Sequence, residues 1–175
     1  TAVGNYAGQF NQGFGSVAVG HFSGNQTQGT YAVAIGRESG YTNQGTQAIA
    51  IGYQSGAGTQ EANAIAIGTQ TGQTNQGIQA IAIGYQAGRG NGPGSNSIAV
   101  GYQALTANTN GSNNIALGYL AGSELVGSNN TIIGGYLGTT MSSNVVIADG
   151  AGNIRFQWDG SNIKLNGNSS PLASF

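Results

Sequence analysis

The groups in this chain that could move a proton are few: one histidine, His21, and five carboxylates, Glu38, Glu61, Glu124, Asp149 and Asp159. Two acids could hydrolyse a glycosidic bond if their carboxyls stood about 5 to 9.5 Å apart. These five are scattered along the chain, and only an arrangement between subunits could pair Glu38 with Glu61. His21 directly follows Gly20, at a place that elsewhere holds Tyr, Thr, Arg or Asn, and it reads as an exposed corner residue. A catalytic centre needs several convergent groups, and the sequence offers no such set. With no cysteine there is neither a disulfide framework nor a thiolate metal site. The stretch from Gly88 to Gly94 lacks the Gly-Lys-Ser/Thr ending of a phosphate loop and reads as an enlarged corner. The expectation is therefore no enzyme, no catalytic residue, no metal and no cofactor.

The aromatic residues are more orderly. Tyr53, Tyr85, Tyr102 and Tyr119 each follow a glycine in the same local phrase, and Tyr136 is displaced by one place. Stacked on one another they would line an exposed corner. Such stacking is explained by packing between neighbouring strands alone. Aromatic faces beside amide side chains also suit sugars, which makes these five tyrosines the candidate surface or glycan contacts. Sequons at Asn25, Asn110, Asn129 and Asn168 are expected by chance in a chain this rich in Asn, Ser and Thr.

What must position these residues is a repeat. A phrase close to Ala-Ile-Ala-Ile-Gly closes at Gly4, Gly20, Gly36, Gly52, Gly68, Gly84, Gly101, Gly118 and Gly134, in steps of 16 or 17 residues, and a blurred tenth copy closes at Gly150. A fixed period of this kind means that one small unit is stacked on itself, since no unit alone could bury its apolar face. Within the phrase Ile49 and Ile51 alternate with Ala48 and Ala50, the period-two pattern of a strand. Helix is excluded by the recurring glycine, at about 1 kcal/mol each. Polar segments such as Thr42-Asn43-Gln44-Gly45 supply the corners. Sixteen residues accommodate two strands of about five residues each plus two corners. The large β-branched side chains are expected to fill the interior of a narrow roll, and the alanine row to let copies of the chain approach closely. A roll this thin is marginal alone, so a homotrimer is expected.

Composition agrees with an ordered rod. Of 175 residues 33 are glycine, only four are basic and five acidic, and the net charge is -1. That balance provides no basic stripe for nucleic acid. No apolar run reaches the roughly 18 residues that span a bilayer, so membrane insertion is not expected. Gly4 lies only three residues from Thr1, as though the sequence starts inside a repeat. From about residue 151 the composition shifts: Ile154-Arg155-Phe156-Gln157-Trp158 alternates, Asp159-Gly160 is a hairpin turn, and Ile163-Lys164-Leu165 alternates back. Residues 1–150 thus form the repeat domain and 151–175 a β-hairpin cap that shields the last sheet edge.

Asn96-Ser97-Ile98-Ala99-Val100-Gly101-Tyr102-Gln103-Ala104 and Asn113-Asn114-Ile115-Ala116-Leu117-Gly118-Tyr119 resemble the head repeat of trimeric autotransporter adhesins, the YadA-like left-handed parallel β-roll. The resemblance covers about residues 1 to 150 and implies a trimer packed around its axis. Two other repeat families fit poorly. Ice-binding solenoids carry a Thr-x-Thr ladder, and here Thr69-Gln70-Thr71 stands alone among Tyr-Gln-Ser and Tyr-Gln-Ala. Hexapeptide acyltransferases have a different coil length. The terminal hairpin resembles fibre and tail proteins of bacteriophages. The sequence therefore predicts an all-β parallel roll of about ten coils, trimeric, serving as a structural tail or capsid fibre of a phage virion. Its partners would be other virion proteins and a host-surface glycan or protein. The alternative is the head fragment of a bacterial surface adhesin, on the cell surface.

Overall fold

The computed structural model describes residues 1–90, 94–107 and 111–165. The corner residues Asn91, Gly92 and Pro93, the sequons at Asn110 and Asn168, and the segment 166–175 lie outside them. The described strands begin with β1 (Ala2–Val3), β2 (Val17–Val19), β3 (Thr27–Gln28), β4 (Val33–Ile35), β5 (Asn43–Gln44), β6 (Ile49–Ile51), β7 (Thr59–Gln60) and β8 (Ile65–Ile67). They continue with β9 (Asn75–Gln76), β10 (Ile81–Ile83), β11 (Ile98–Val100), β12 (Ile115–Leu117), β13 (Thr131–Ile133), β14 (Val145–Ala148), β15 (Ile154–Trp158) and β16 (Ile163–Leu165). None of the described residues is helical, so among them no helix is long and apolar enough to cross a membrane.

Two sheets result. The long one runs β1-β2-β4-β6-β8-β10-β11-β12-β13-β14-β15-β16, parallel as far as β14 and antiparallel through the last two strands. The short one, β3-β5-β7-β9, is parallel throughout. The chain is an all-β parallel solenoid, as the period predicts, with about nine turns where about ten were expected. Register is strict: Ile49 pairs with Ile65 and Ile65 with Ile81. The strands are shorter than the expected five residues, typically three in the long sheet and two in the short one, because the corners take the rest. The final parallel step also differs from expectation. Ile133 pairs with Ile147, a step of 14 residues, so Ala148 rather than Gly150 stacks on Gly134.

The two faces of the long sheet are the reverse of what alternation alone suggests. Ala18, Ala34, Ala50, Ala66, Ala82, Ala99 and Ala116 are wholly buried inside the roll. The flanking Val and Ile residues point outward and stay partly exposed, Ile35 at 38% and Ile147 at 42%. The reason is the width of the lumen. Gly56 faces Ala50 across it, and a Cβ on Gly56 would stand 3.2 Å from the Ala50 Cβ. That space takes one methyl opposite a bare α-carbon and has no room for an isoleucine.

What the alanines cannot fill, amides bridge. Gln28, Gln44, Gln60 and Gln76 of the short sheet are buried and reach across the lumen. The Gln60 Nε2 donates to the carbonyls of Ile49 at 2.8 Å and Ala64 at 3.2 Å and to the Gln76 Oε1 at 3.0 Å. Gln44 donates likewise to Val33, Ala48 and Gln60. Beside them the hydroxyls of Ser23, Ser39 and Ser55 donate to the carbonyls of Ala34, Ala50 and Ala66. Beyond residue 80 the filling changes. The serine place passes to Ala87, Ala104 and Ala121, and Leu105, Leu125, Ile132 and Val146 form an aliphatic core. The hairpin joins both faces. Gln157 turns inward and donates to the Asn144 Oδ1 at 3.1 Å, while Phe156 lies opposite Ile147, and Trp158 opposite Val145, on the outer side.

Ala66→Leu is expected to destabilise the roll by about 1–3 kcal/mol, because the added atoms have no space in the lumen. Gln60→Ala is expected to cost a similar amount, roughly 1–3 kcal/mol, since the carbonyls it serves lose their donor while buried. Denaturant unfolding followed by far-ultraviolet circular dichroism measures both. Loss of less than about 0.5 kcal/mol for Ala66→Leu would contradict the narrow lumen.

Candidate functional site

The corner that follows each strand of the long sheet is built by the repeat glycine. Gly84, Gly101 and Gly118 close β10, β11 and β12 with φ of +126°, +133° and +138°, a left-handed backbone that only glycine adopts cheaply. The next residue in each coil is a tyrosine, and the strict register stacks them. The Tyr85 and Tyr102 rings lie 5.3 Å apart at 14°, and those of Tyr102 and Tyr119 lie 5.2 Å apart at 15°. Of the five tyrosines expected at this corner, these three form one stack. Thr69 occupies the intervening place between Tyr53 and Tyr85, and Tyr53 instead receives the Arg37 guanidinium 5.6 Å from its ring centre. Tyr136 turns toward the interior and packs partly against the aliphatic core.

At its C-terminal end the stack opens onto a groove. Gly135 stands where the next ring would be, which leaves the outer face of Tyr119 uncovered and that residue 59% exposed. The groove has a volume of about 550 Å³ and is walled by Tyr119, Glu124, Gly135, Tyr136 and the turn Gly150-Ala151-Gly152. Asp149 holds that turn. Its Oδ1 accepts the backbone N–H groups of Ala151 and Asn153, each at 3.0 Å, and its Oδ2 accepts from Arg155 at 2.5 Å. The Asn153 side chain and backbone, with Arg155, lower its pKa from the ordinary 3.8 to about 2.

One place further along the corner runs an amide ladder. Gln54 donates to Glu38 at 2.7 Å, Gln70 to Gln54 at 3.1 Å, and Gln86 to Gln70 and Gln103 to Gln86 at 2.8 Å each. These residues all sit in the left-handed region, with φ between 51° and 55°. Each such backbone costs about 1–3 kcal/mol, and the ladder bonds offset part of that. The Gln54 bond, with the Arg37 guanidinium beside it, lowers the Glu38 pKa.

A second aromatic group lies near the start of the roll, unanticipated from the sequence. Tyr6 and Phe22 stack at 4.9 Å, and Phe22 meets Tyr41 edge-on at 6.0 Å. Phe22, Glu38, Tyr41, Gln54 and Ala57 line a shallow groove of about 380 Å³. His21 is exposed and lies against Phe22 at 4.2 Å. The signal of this aromatic group in the sequence was Tyr6 and Phe22 holding the same corner place one coil apart. Asp159 is held in its hairpin turn by the Ser161 and Asn162 backbones, which lower its pKa, with Lys164 3.7 Å away. Among the described residues no three His, Asp or Glu side chains converge as a metal site would require.

The model of the YadA head domain repeat matches the chain in two copies, at residues 12–39 and 44–71. Each copy takes in two strands of the long sheet, β2 with β4 and β6 with β8. A comparison with curated proteins finds no match, and a comparison with solved structures finds none. These two copies and the parallel solenoid around them fit a YadA-head-like β-roll repeat.

Asp149 supplies the pH dependence of the groove wall. A carboxylate whose pKa is lowered on folding stabilises the fold above its ordinary 3.8, and that contribution disappears as pH falls toward about 2. Fluorescence of Trp158, the sole tryptophan, is expected to change over that interval, and the change is expected to flatten in Asp149→Asn. An unaltered titration in the variant would show that Asp149 does not hold the turn.

Proposed function

We propose that the chain is a head segment of a trimeric surface fibre of the adhesin kind, non-catalytic, whose work is to project a rigid surface and hold other surfaces through repeated weak contacts. One observation carries this reading: the outer face of the long sheet. Val17, Val33, Ile49, Ile65, Ile81 and Ile98 make one outward row across β2 to β11, and Val19 through Ile147 make another. The hairpin prolongs the face with Phe156 and Trp158, which pair with Leu165 and Ile163. A continuous apolar face of this extent marks a surface that another chain covers. The match to the YadA head repeat favours a second and third copy of this chain as that cover. The expected alanine interface is replaced: the alanines are interior, and the Ile and Val rows face the threefold axis.

Display on a bacterial cell surface fits this reading. A virion fibre is the second reading, favoured by one feature, the antiparallel β15–β16 hairpin that ends the parallel stack. In either setting that hairpin acts as a cap, because β16 replaces the open edge of a coil with a short strand bearing Lys164.

Light scattering of the intact chain is expected to give three times the 17.5-kDa chain mass. Ile51→Glu combined with Ile67→Glu is expected to give a monomer with unchanged circular dichroism, because both side chains leave the roll. A wild-type monomer would reject the trimeric reading. A trimer that tolerates both glutamates would reject the assignment of its interface.

A further inference from the structure

We propose that the groove beside Tyr119 and Tyr136 binds one neutral hexopyranose residue of a surface glycan. The inference deepens the adhesin reading and rests on it. Its starting point is the way the ring stack ends. Tyr85, Tyr102 and Tyr119 repeat at 5.3 and 5.2 Å, so the inner faces of the stack are covered by other rings, and the free face at this end belongs to Tyr119. Gly135 leaves the following slot empty, and the groove of about 550 Å³ occupies it. That volume falls in the range of small-molecule sites, roughly 300–1,000 Å³, and holds a sugar ring with its attached neighbour.

The walls select the guest. A flat apolar face is offered by Tyr119, and a pyranose presents a face of C–H groups that lies on an aromatic ring. Opposite it stand polar groups: the exposed Glu124 carboxylate, which accepts only, and the backbone of Gly150, Ala151 and Gly152. Sugar hydroxyls both donate and accept, so they meet this set. No lysine or arginine lines the groove, and Glu124 places a negative charge at its edge. A carboxylated or phosphorylated sugar would face like charge there, which disfavours it. The site therefore takes uncharged hexoses. Tyr136, held partly in the core, fixes the floor, and the Asp149 turn fixes the far wall.

The test uses the intact chain on an array of hexose-, N-acetylhexosamine- and sialic acid-terminated glycans, followed by saturation-transfer NMR with the retained sugar. Retention of neutral and not sialylated glycans is expected. Tyr119→Ala is expected to weaken binding about tenfold. Glu124→Gln, an exposed change that leaves the fold alone, is expected to weaken it several-fold, and Tyr53→Ala, in a distant coil, to leave it unchanged. No neutral glycan retained, a preference for sialylated ones, or binding indifferent to both groove variants would each overturn the proposal. Light scattering on the same samples separates the two readings. A trimer that retains no sugar rejects the groove alone, and a monomer that retains neutral sugar through Tyr119 supports the groove while rejecting the trimeric fibre.

Discussion

The separation of the two sheets governs this molecule. With room across the lumen for one methyl opposite a glycine, as at Ala50 and Gly56, the interior of the first half cannot be a hydrophobic core of the usual kind. The methyls there bury little apolar area, and the large β-branched groups that would normally supply it, such as Ile49 and Ile51, are turned outward. Cohesion inside the first half of the roll comes instead from hydrogen bonds: strand to strand along the axis, and glutamine to carbonyl across it. A buried amide network of this kind is costly when broken and specifies one register when whole.

The two halves solve the same geometric problem differently. Up to Gln76 the lumen is bridged by amides and hydroxyls; beyond Ala82 it is filled by Leu105, Leu125, Ile132 and Val146. An asparagine row, Asn114, Asn130 and Asn144, accompanies the aliphatic half and passes its hydrogen bonds on to Gln157 in the hairpin. The hairpin is therefore integrated with the roll through its polar interior as well as through its backbone. On the outer side it continues the apolar rows. A single antiparallel pair thus completes both faces of a parallel structure.

Much of this was legible in the sequence. Nine glycines at fixed spacing gave the solenoid and its coil length, and Asp159-Gly160 gave the hairpin. The orientation of the strand faces was not legible, because alternation of Ile and Ala states that two faces exist and is silent on which one is inside. The clue was the glycine four places after each phrase glycine, at Gly24, Gly40, Gly56 and Gly72, whose role as the partner of an alanine emerges only when the coil is closed. The shortened final step was hidden for a related reason: Gly150 continued the period while the strand pairing did not. The tyrosine stack could be anticipated from shared position. The groove at its end could not, since it is made by what Gly135 lacks and by a turn that folds back from β14 to β15.

The identity of register from coil to coil has a consequence for how such a chain changes over generations. Ile49, Ile65 and Ile81 meet as equivalents, so a coil removed from the middle leaves neighbours that fit each other as well as they fitted the lost one. An in-frame duplication inserts just as easily and lengthens the rod by about 4.8 Å. Length along the axis is then a matter of copy number, adjustable by a single unequal recombination, while the specialised coils near the C-terminal hairpin stay unchanged.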